Sequence, residues 1–486
     1  MVVSLDQSRM TTTTTHEIPG GVQVVTPDTL NLVTPYVLYE QRDWFEDEIA
    51  FLRRLLQPGQ RAIDIGASYG VYTLSIAKAV GPAGAVWAFE PTSSTAAFLA
   101  QSIAANHFTQ VVLERSALSG ECGTAELTIH NSPEFNTLAR GEQSGNASET
   151  VPVVTLDECL ERYGWENIDL VKIDAEGEEA NIIDGGRRFF ANSSPLILYE
   201  IKATEALHLD LVSKFAALGF DSYRLVPGLD VLVPFDSAGT HDRYLLNLFC
   251  CKSDRAAELS DRGLLLTAAS LAAYRAENRF NDFAEAHLHE YSWQDKLAAL
   301  PYGTVFAHMW ESSSDTSAAN SAALACFAVS QDESLDQLER FSALETGLRT
   351  LVQLCNGQPA SLRFSSVARI AREYGARFIA VDALSTLFEE LSKESWVDPN
   401  EPFLAPGKRF DAIAPSADLQ DWILAAVLEE LERVAAYSSF NSGESSRARL
   451  EMIAALGYAS EEMARRLLLV RTRFPNTFVC KLAPTL

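Results

Sequence analysis

Carboxylates recur in this chain where an apolar run ends and a glycine or a helix pattern begins. The first is Asp64, in Ala62-Ile63-Asp64-Ile65-Gly66-Ala67-Ser68-Tyr69-Gly70. An apolar strand there runs through a glycine turn into a helix N-terminus, which lets a ligand approach the backbone at the carboxyl edge of a sheet. The second is Glu90, 26 positions on in Phe89-Glu90-Pro91, placed to accept both hydroxyls of a ribose. A later strand pattern ends in Ser116-Ala117-Leu118, small and apolar groups able to border an adenine ring. The last two stand in Lys172-Ile173-Asp174-Ala175-Glu176-Gly177-Glu178 and in Tyr199-Glu200-Ile201-Lys202.

The first spacing is D-x-G-x-x-x-G rather than G-x-G-x-x-G. A dinucleotide loop turns its glycines and helix dipole toward a pyrophosphate anion. A carboxylate at Asp64 instead suits a cationic cofactor, and S-adenosylmethionine carries a sulfonium and an ammonium. Its methyl group leaves from an activated centre, so an enzyme has to align the acceptor and remove its proton. Asp174, Glu176 and Glu200 are the candidate bases or acceptor-orienting groups. A divalent hard cation such as Mg²⁺ is another use of the same oxygens, and Glu176 as a helix cap is a purely structural one; the site as read contains no metal. His208 reads as a surface histidine. The chain has no H-E-x-x-H, which disfavours zinc-dependent hydrolase chemistry.

These residues need a sheet to bring them together. Apolar, β-rich runs predict strands at Arg61 to Ile65, Ala85 to Phe89, Val111 to Glu114, Leu170 to Ile173, Leu196 to Ile201, Phe220 to Leu225 and Tyr244 to Cys251. Helical spacing fills the gaps at Val71 to Val80, Ser93 to Asn106, Leu156 to Tyr163, Gly177 to Phe190 and Thr204 to Leu218. Alternation of near-continuous apolar strands with helices predicts a mostly parallel sheet covered on both faces. Thr124 to His130 and Val151 to Val154 alternate at period two and predict an inserted hairpin. Ahead of the sheet, residues 1–20 read as a flexible tail and Trp44 to Leu56 as a helix ended by Pro58-Gly59.

The expected organisation is a catalytic α/β domain over 21–252, a helical connection over 253–320 and an all-α domain over 321–486. Within the last, Pro399 to Pro415 breaks the helices into two groups. Leu362 to Tyr374 and Arg377 to Leu391 match the size of one tetratricopeptide-like repeat.

Composition sets outer limits. With 486 residues, the length suggests about two or three domains, and 47% hydrophobic content supplies cores. The 39 Lys+Arg against 65 Asp+Glu leave a net charge of −26, which opposes nucleic acid or anionic lipid as partners. Seven cysteines without CxxC spacing fit a reducing, cytoplasmic setting. No run approaches the roughly 18 apolar residues that span a bilayer.

The ordered series Asp64 to Gly70 with Tyr72-Thr73-Leu74, Ala88-Phe89-Glu90-Pro91, Ser116-Ala117-Leu118, Val151 to Asp157, Asp169 to Gly177 and Leu198-Tyr199-Glu200 resembles the FkbM-type S-adenosylmethionine-dependent methyltransferases. The resemblance covers residues 60–202. It implies a class I, Rossmann-like sheet of seven strands with the last antiparallel, and methyl transfer to oxygen, often on a sugar. It also implies that Asp64, Gly66, Gly70 and Glu90 bind the cofactor, with Ser68, Ser116, Ala117 and Leu118 beside them. Two positions depart from the family pattern. Ser119 stands where an acid usually follows the Ala-Leu pair, and Ser68 stands where Gly or Asn is common. The expected activity is O-methylation of a saccharide, glycan or glycosylated natural product. The alternative is a non-catalytic scaffold in which the helical half binds a protein partner or a second copy of the chain.

Overall fold

The computed structural model describes residues 12–130, 137–138, 147–203, 206–312, 317–393, 399–416 and 418–475. Two compact units emerge: Met1–Ser222 with Asn247–Arg255, and Tyr223–Leu246 with Ala256–Leu486.

In the first unit, five strands lie parallel in the order Val111–Glu114, Ala85–Phe89, Arg61–Ile65, Leu170–Ile173, Leu196–Glu200. Asn247–Cys251 then runs antiparallel to Leu196–Glu200. The inner strands Arg61–Ile65, Leu170–Ile173 and Leu196–Glu200 are apolar and buried, as the alternating pattern predicts for a sheet covered on both faces, while the edge strand Val111–Glu114 is only partly covered. Chain order reverses between Arg61–Ile65 and Leu170–Ile173. At that switch point the helices following the two strands lie on opposite faces and leave a crevice at the carboxyl edge. Val231–Pro234, antiparallel to Asp221–Val226, is a strand beyond the seven expected.

The inserted hairpin forms and grows into a small sheet. Gly123–Ile129 pairs antiparallel with Ala147–Val154, and Ala117–Leu118 joins parallel to the end of the latter. Much of the expected tail is structured as well. Thr13–Ile18 pairs antiparallel with Val22–Pro27 around Gly20-Gly21; β-branched threonines suit a strand. Residues 1–11 lie outside the described residues.

Two helices are shorter or split. The stretch expected as one helix from Gly177 to Phe190 is Glu179–Asp184 followed by Arg187–Asn192. The break is at Gly185, where a Cβ would lie 2.3 Å from the carbonyl oxygen of Ser119. The stretch expected from Thr204 to Leu218 is helical only over Asp210–Ala217, and Ala206–Leu207 pairs as strand with Lys202–Ala203. Thr204 lies outside the described residues.

The second unit is helical apart from the Asp221–Val226 and Val231–Pro234 hairpin. Ser361–Tyr374 packs on Arg377–Lys393, with Gln337–Gly357 against the former and Leu419–Ala435 against the latter. The stretch 253–320, expected as a connection, supplies Tyr302, Phe306 and Trp310 to the same buried cluster as Phe403 and Trp422. The middle of the proline-rich stretch, residues 402–407, is buried too. Tyr302 Oη donates to Phe403 O at 3.0 Å, Asn320 Nδ2 to Pro402 O at 2.9 Å, and Ser366 Oγ accepts from Leu404 N at 2.9 Å. Side chains thus satisfy a loop backbone that has no ladder of its own.

Candidate functional site

Gly66 makes the turn possible. Its φ is +77°, and a Cβ there would lie 1.7 Å from the carbonyl oxygen of Asp174. Only glycine lets the two strand ends approach so closely. Backbone bonds hold the contact: Gly66 N and Ala67 N both donate to Phe89 O, and Asp174 N donates to Ile65 O at 3.1 Å. Gly70 closes the turn as N-cap of the helix Val71–Val80. Between them Ser68 takes φ +49°, a left-handed conformation that explains why Gly or Asn is common there.

Glu90 holds this turn in place. Its Oε2 accepts from Ser68 N at 2.9 Å and its Oε1 from Thr92 N at 2.8 Å. Burial pushes its carboxyl up, and those backbone donors pull against the shift. The Thr92 side chain bonds the same carboxylate; a carboxylate offers about four acceptor positions, so room for a hydroxyl donor remains.

Asp64 is fully buried. Its Oδ2 accepts from Thr73 Oγ1 at 2.5 Å, while Oδ1 has no hydrogen-bond partner. Burial raises its affinity for a proton, opposed by the Lys172 ammonium 3.9 Å from Oδ1. Lys172 is equally buried and forms its close pair with Asp174 Oδ2 at 2.8 Å. Burial alone would lower its pKa, but Asp174 and Asp64 outweigh it and hold the ammonium above its ordinary range.

Around Lys172 lies a shell that the spacing of motifs did not flag. The ammonium sits 4.9 Å from the Tyr72 ring centre, and Tyr72 Oη donates to Glu46 Oε2 at 2.5 Å. The same oxygen accepts from Asn247 Nδ2 at 3.2 Å. Lys172 and Tyr72 stand inside quoted motifs, so a buried lysine on an apolar strand was the available signal. Glu46 and Asn247 carry none.

Asp174, Glu176 and Glu200 come together as expected, each offering an oxygen within 4.8 Å of the others. Burial, then the charges of Asp174 and Glu176, push Glu200 up to about 10, so it carries a proton at neutral pH. A hard cation accepts such oxygens, but the Lys172 ammonium already balances Asp174, and we give the cluster no metal.

At the third strand end Ser116, Ala117 and Leu118 are all buried, and Ser116 Oγ has no hydrogen-bond partner. Ser119 Oγ donates to Glu178 Oε2 at 2.7 Å, which brings a carboxylate from the segment after Leu170–Ile173 beside the position where the family places an acid. His208 is exposed, 3.9 Å from Asp210.

These features fit a cationic, nucleoside-bearing cofactor. Asp64 Oδ1, Ser68 Oγ and Ser116 Oγ are buried polar atoms without partners along one strand-end row, and such atoms normally find one. Residues 64–222 match the family model of the methyltransferase FkbM domain. This segment is an FkbM-type methyltransferase domain. Among solved structures, the chain is similar to the methyltransferase FkbM from Methylobacillus flagellatus KT at 16% identity and a TM-score of 0.28, covering 39% of this chain and 43% of that one. It therefore spans less than half of that protein. An S-adenosylmethionine-dependent O-methyltransferase from Thermotoga maritima matches at 15% identity, with 47% and 73% covered and a TM-score of 0.26. Aeropyrum pernix fibrillarin, in complex with S-adenosyl-L-methionine, matches at 12% identity, with 49% and 92% covered and a TM-score of 0.26. No curated protein matches the sequence. Among the described residues no helix is long and apolar enough to cross a membrane.

Proposed function

We propose that the FkbM domain is an S-adenosylmethionine-dependent O-methyltransferase acting on a hydroxyl of a saccharide, glycan or glycosylated natural product. The observation that carries this reading is Asp64 Oδ1, a buried carboxylate oxygen without a hydrogen-bond partner beside a glycine turn. A cationic donor group answers it, and a pyrophosphate would be repelled by it.

When bound, S-adenosylmethionine supplies a methyl on a sulfonium, which becomes a neutral thioether after transfer. Gly66, Ser68 and Gly70 shape the turn that admits the cofactor, Asp64 attracts its positive charge, and Glu90 accepts a hydrogen bond from its ribose. Ser116, Ala117 and Leu118 border its base. Glu200, protonated, donates a hydrogen bond to the acceptor and orients it. Asp174 and Glu176 are left to take the proton from the attacking hydroxyl. A polyol suits this surface because each carboxyl oxygen can meet one hydroxyl. The second unit, we propose, assists acceptor recognition or assembly.

Isothermal titration of the folded protein with S-adenosylmethionine tests the cofactor, and absence of binding sinks the proposal. Transfer of labelled methyl groups to a panel of mono- and oligosaccharides tests the acceptor class. Label appearing only on carboxylate or amine acceptors would replace the saccharide.

A further inference from the structure

The buried ammonium of Lys172 occupies the same electrostatic surroundings that a cationic cofactor would enter. It lies 2.8 Å from Asp174 Oδ2 and 3.9 Å from the unpartnered Oδ1 of Asp64. Asp64 and Lys172 are register partners on adjacent parallel strands, so their side chains leave the same face of the sheet. The Tyr72 ring lies against the ammonium, and Glu46 accepts from both Tyr72 Oη and Asn247 Nδ2 behind it. Counted locally, Asp64 and Asp174 carry two negative charges and Lys172 removes one.

We propose that Lys172 is a specificity-determining residue: a resident counter-cation that limits how strongly the pocket prefers the sulfonium cofactor over its neutral thioether product. This rests on the cofactor reading above and goes beyond it. S-adenosylmethionine and S-adenosylhomocysteine share adenosine, ammonium and carboxylate, and differ by one methyl and one positive charge on sulfur. A site charged −2 discriminates between them more than a site charged −1, because the added Coulomb term acts on one ligand only. With Lys172 in place the cofactor is held less exclusively. Glu46 is the other acidic group that faces this ammonium, and Asp174, Glu176, Glu179 and Glu46 face Glu200 beside it.

The test is a ratio of affinities, needing no acceptor and no turnover. Dissociation constants for both ligands are measured by titration calorimetry on the full chain at about pH 8. Lys172→Met is expected to raise the preference for S-adenosylmethionine at least about fivefold, and Lys172→Arg to leave it within about twofold. Asp174→Asn, which removes a negative charge, is expected to lower the preference; it keeps the test open should Lys172→Met fail to fold. A ratio that is unchanged or lower in Lys172→Met, or unchanged or higher in Asp174→Asn, overturns the proposal. Wild-type protein that binds neither ligand overturns the cofactor reading instead.

Discussion

Asp64 and Lys172 face each other as register partners on neighbouring parallel strands, with Lys172 Nζ 3.9 Å from Asp64 Oδ1. The pair stands at the switch point of the sheet, between the glycine turn after one strand and the carboxylates after the other. Whatever enters the crevice meets this charge distribution.

Gly66→Ala is expected to damage both folding and ligand binding. The added Cβ would lie 1.7 Å from the Asp174 carbonyl oxygen, at a φ of +77°. The strained backbone alone costs roughly 1–3 kcal/mol, and relieving the overlap separates the two strand ends. Thermal unfolding should drop and calorimetric binding of S-adenosylmethionine should vanish. Wild-type affinity in a folded Gly66→Ala protein would show that the turn is not the binding element.

Glu90→Ala removes the acceptor for two backbone N–H groups, those of Ser68 and Thr92. Hydrogen bonds to charged groups contribute about 1.5–3 kcal/mol each. Cofactor affinity should fall by roughly 10- to 150-fold, and Asp64→Ala should weaken it by a similar factor. Unchanged affinity in both variants would refute the site map, which titration calorimetry decides.

Glu200 makes stability depend on pH. Its carboxyl is pushed up from 4.5 to about 10 by burial and by Asp174 and Glu176. The folded state therefore binds a proton that the unfolded state has released, across the interval between those values. Stability from this proton is complete below the unfolded pKa and is lost as pH rises toward the folded one. Glu200→Gln does not titrate, so its melting temperature should gain on wild type steadily from about pH 5 to about pH 9. A constant difference across that range would contradict the shift.

In the helical unit, Glu432 is buried with Ser446 Oγ at 2.7 Å, Arg449 at 3.1 Å and Arg466 at 3.6 Å. Glu432→Ala removes the carboxylate shared by Ser446, Arg449 and the buried Arg466, whose guanidinium keeps Glu462 at 3.0 Å. Leaving buried polar groups short of one partner costs about 1–3 kcal/mol. The denaturant midpoint of the helical unit should fall accordingly, with S-adenosylmethionine affinity of the other unit unaffected. A loss under about 1 kcal/mol would mean that the network is solvated.

The strand ends were legible because their signals are local. Apolar runs such as Arg61–Ile65 and Leu170–Ile173, the glycine turn after Asp64, and acids at Glu90, Asp174 and Glu200 all follow from residues within a few positions of one another. Where local signals competed, the reading slipped: the threonine tract became Thr13–Ile18, and a helix pattern broke at Gly185 because Ser119 backbone lies too near. The proline-rich stretch interrupts the helices as its composition predicts, but side chains from distant helices satisfy its backbone, which no local signal shows.

By itself, then, the sequence determined which residues end strands and what charge they bring there. Only the tertiary structure decided which of those charges meet. Lys172 finds Asp64 through sheet register, and Asn247 reaches Glu46 across 201 positions. A strand pattern carries no information about its neighbour in the sheet; burial of charge then forces partners on each group, and those partners decide whether Glu200 holds a proton and Asp64 retains an open oxygen.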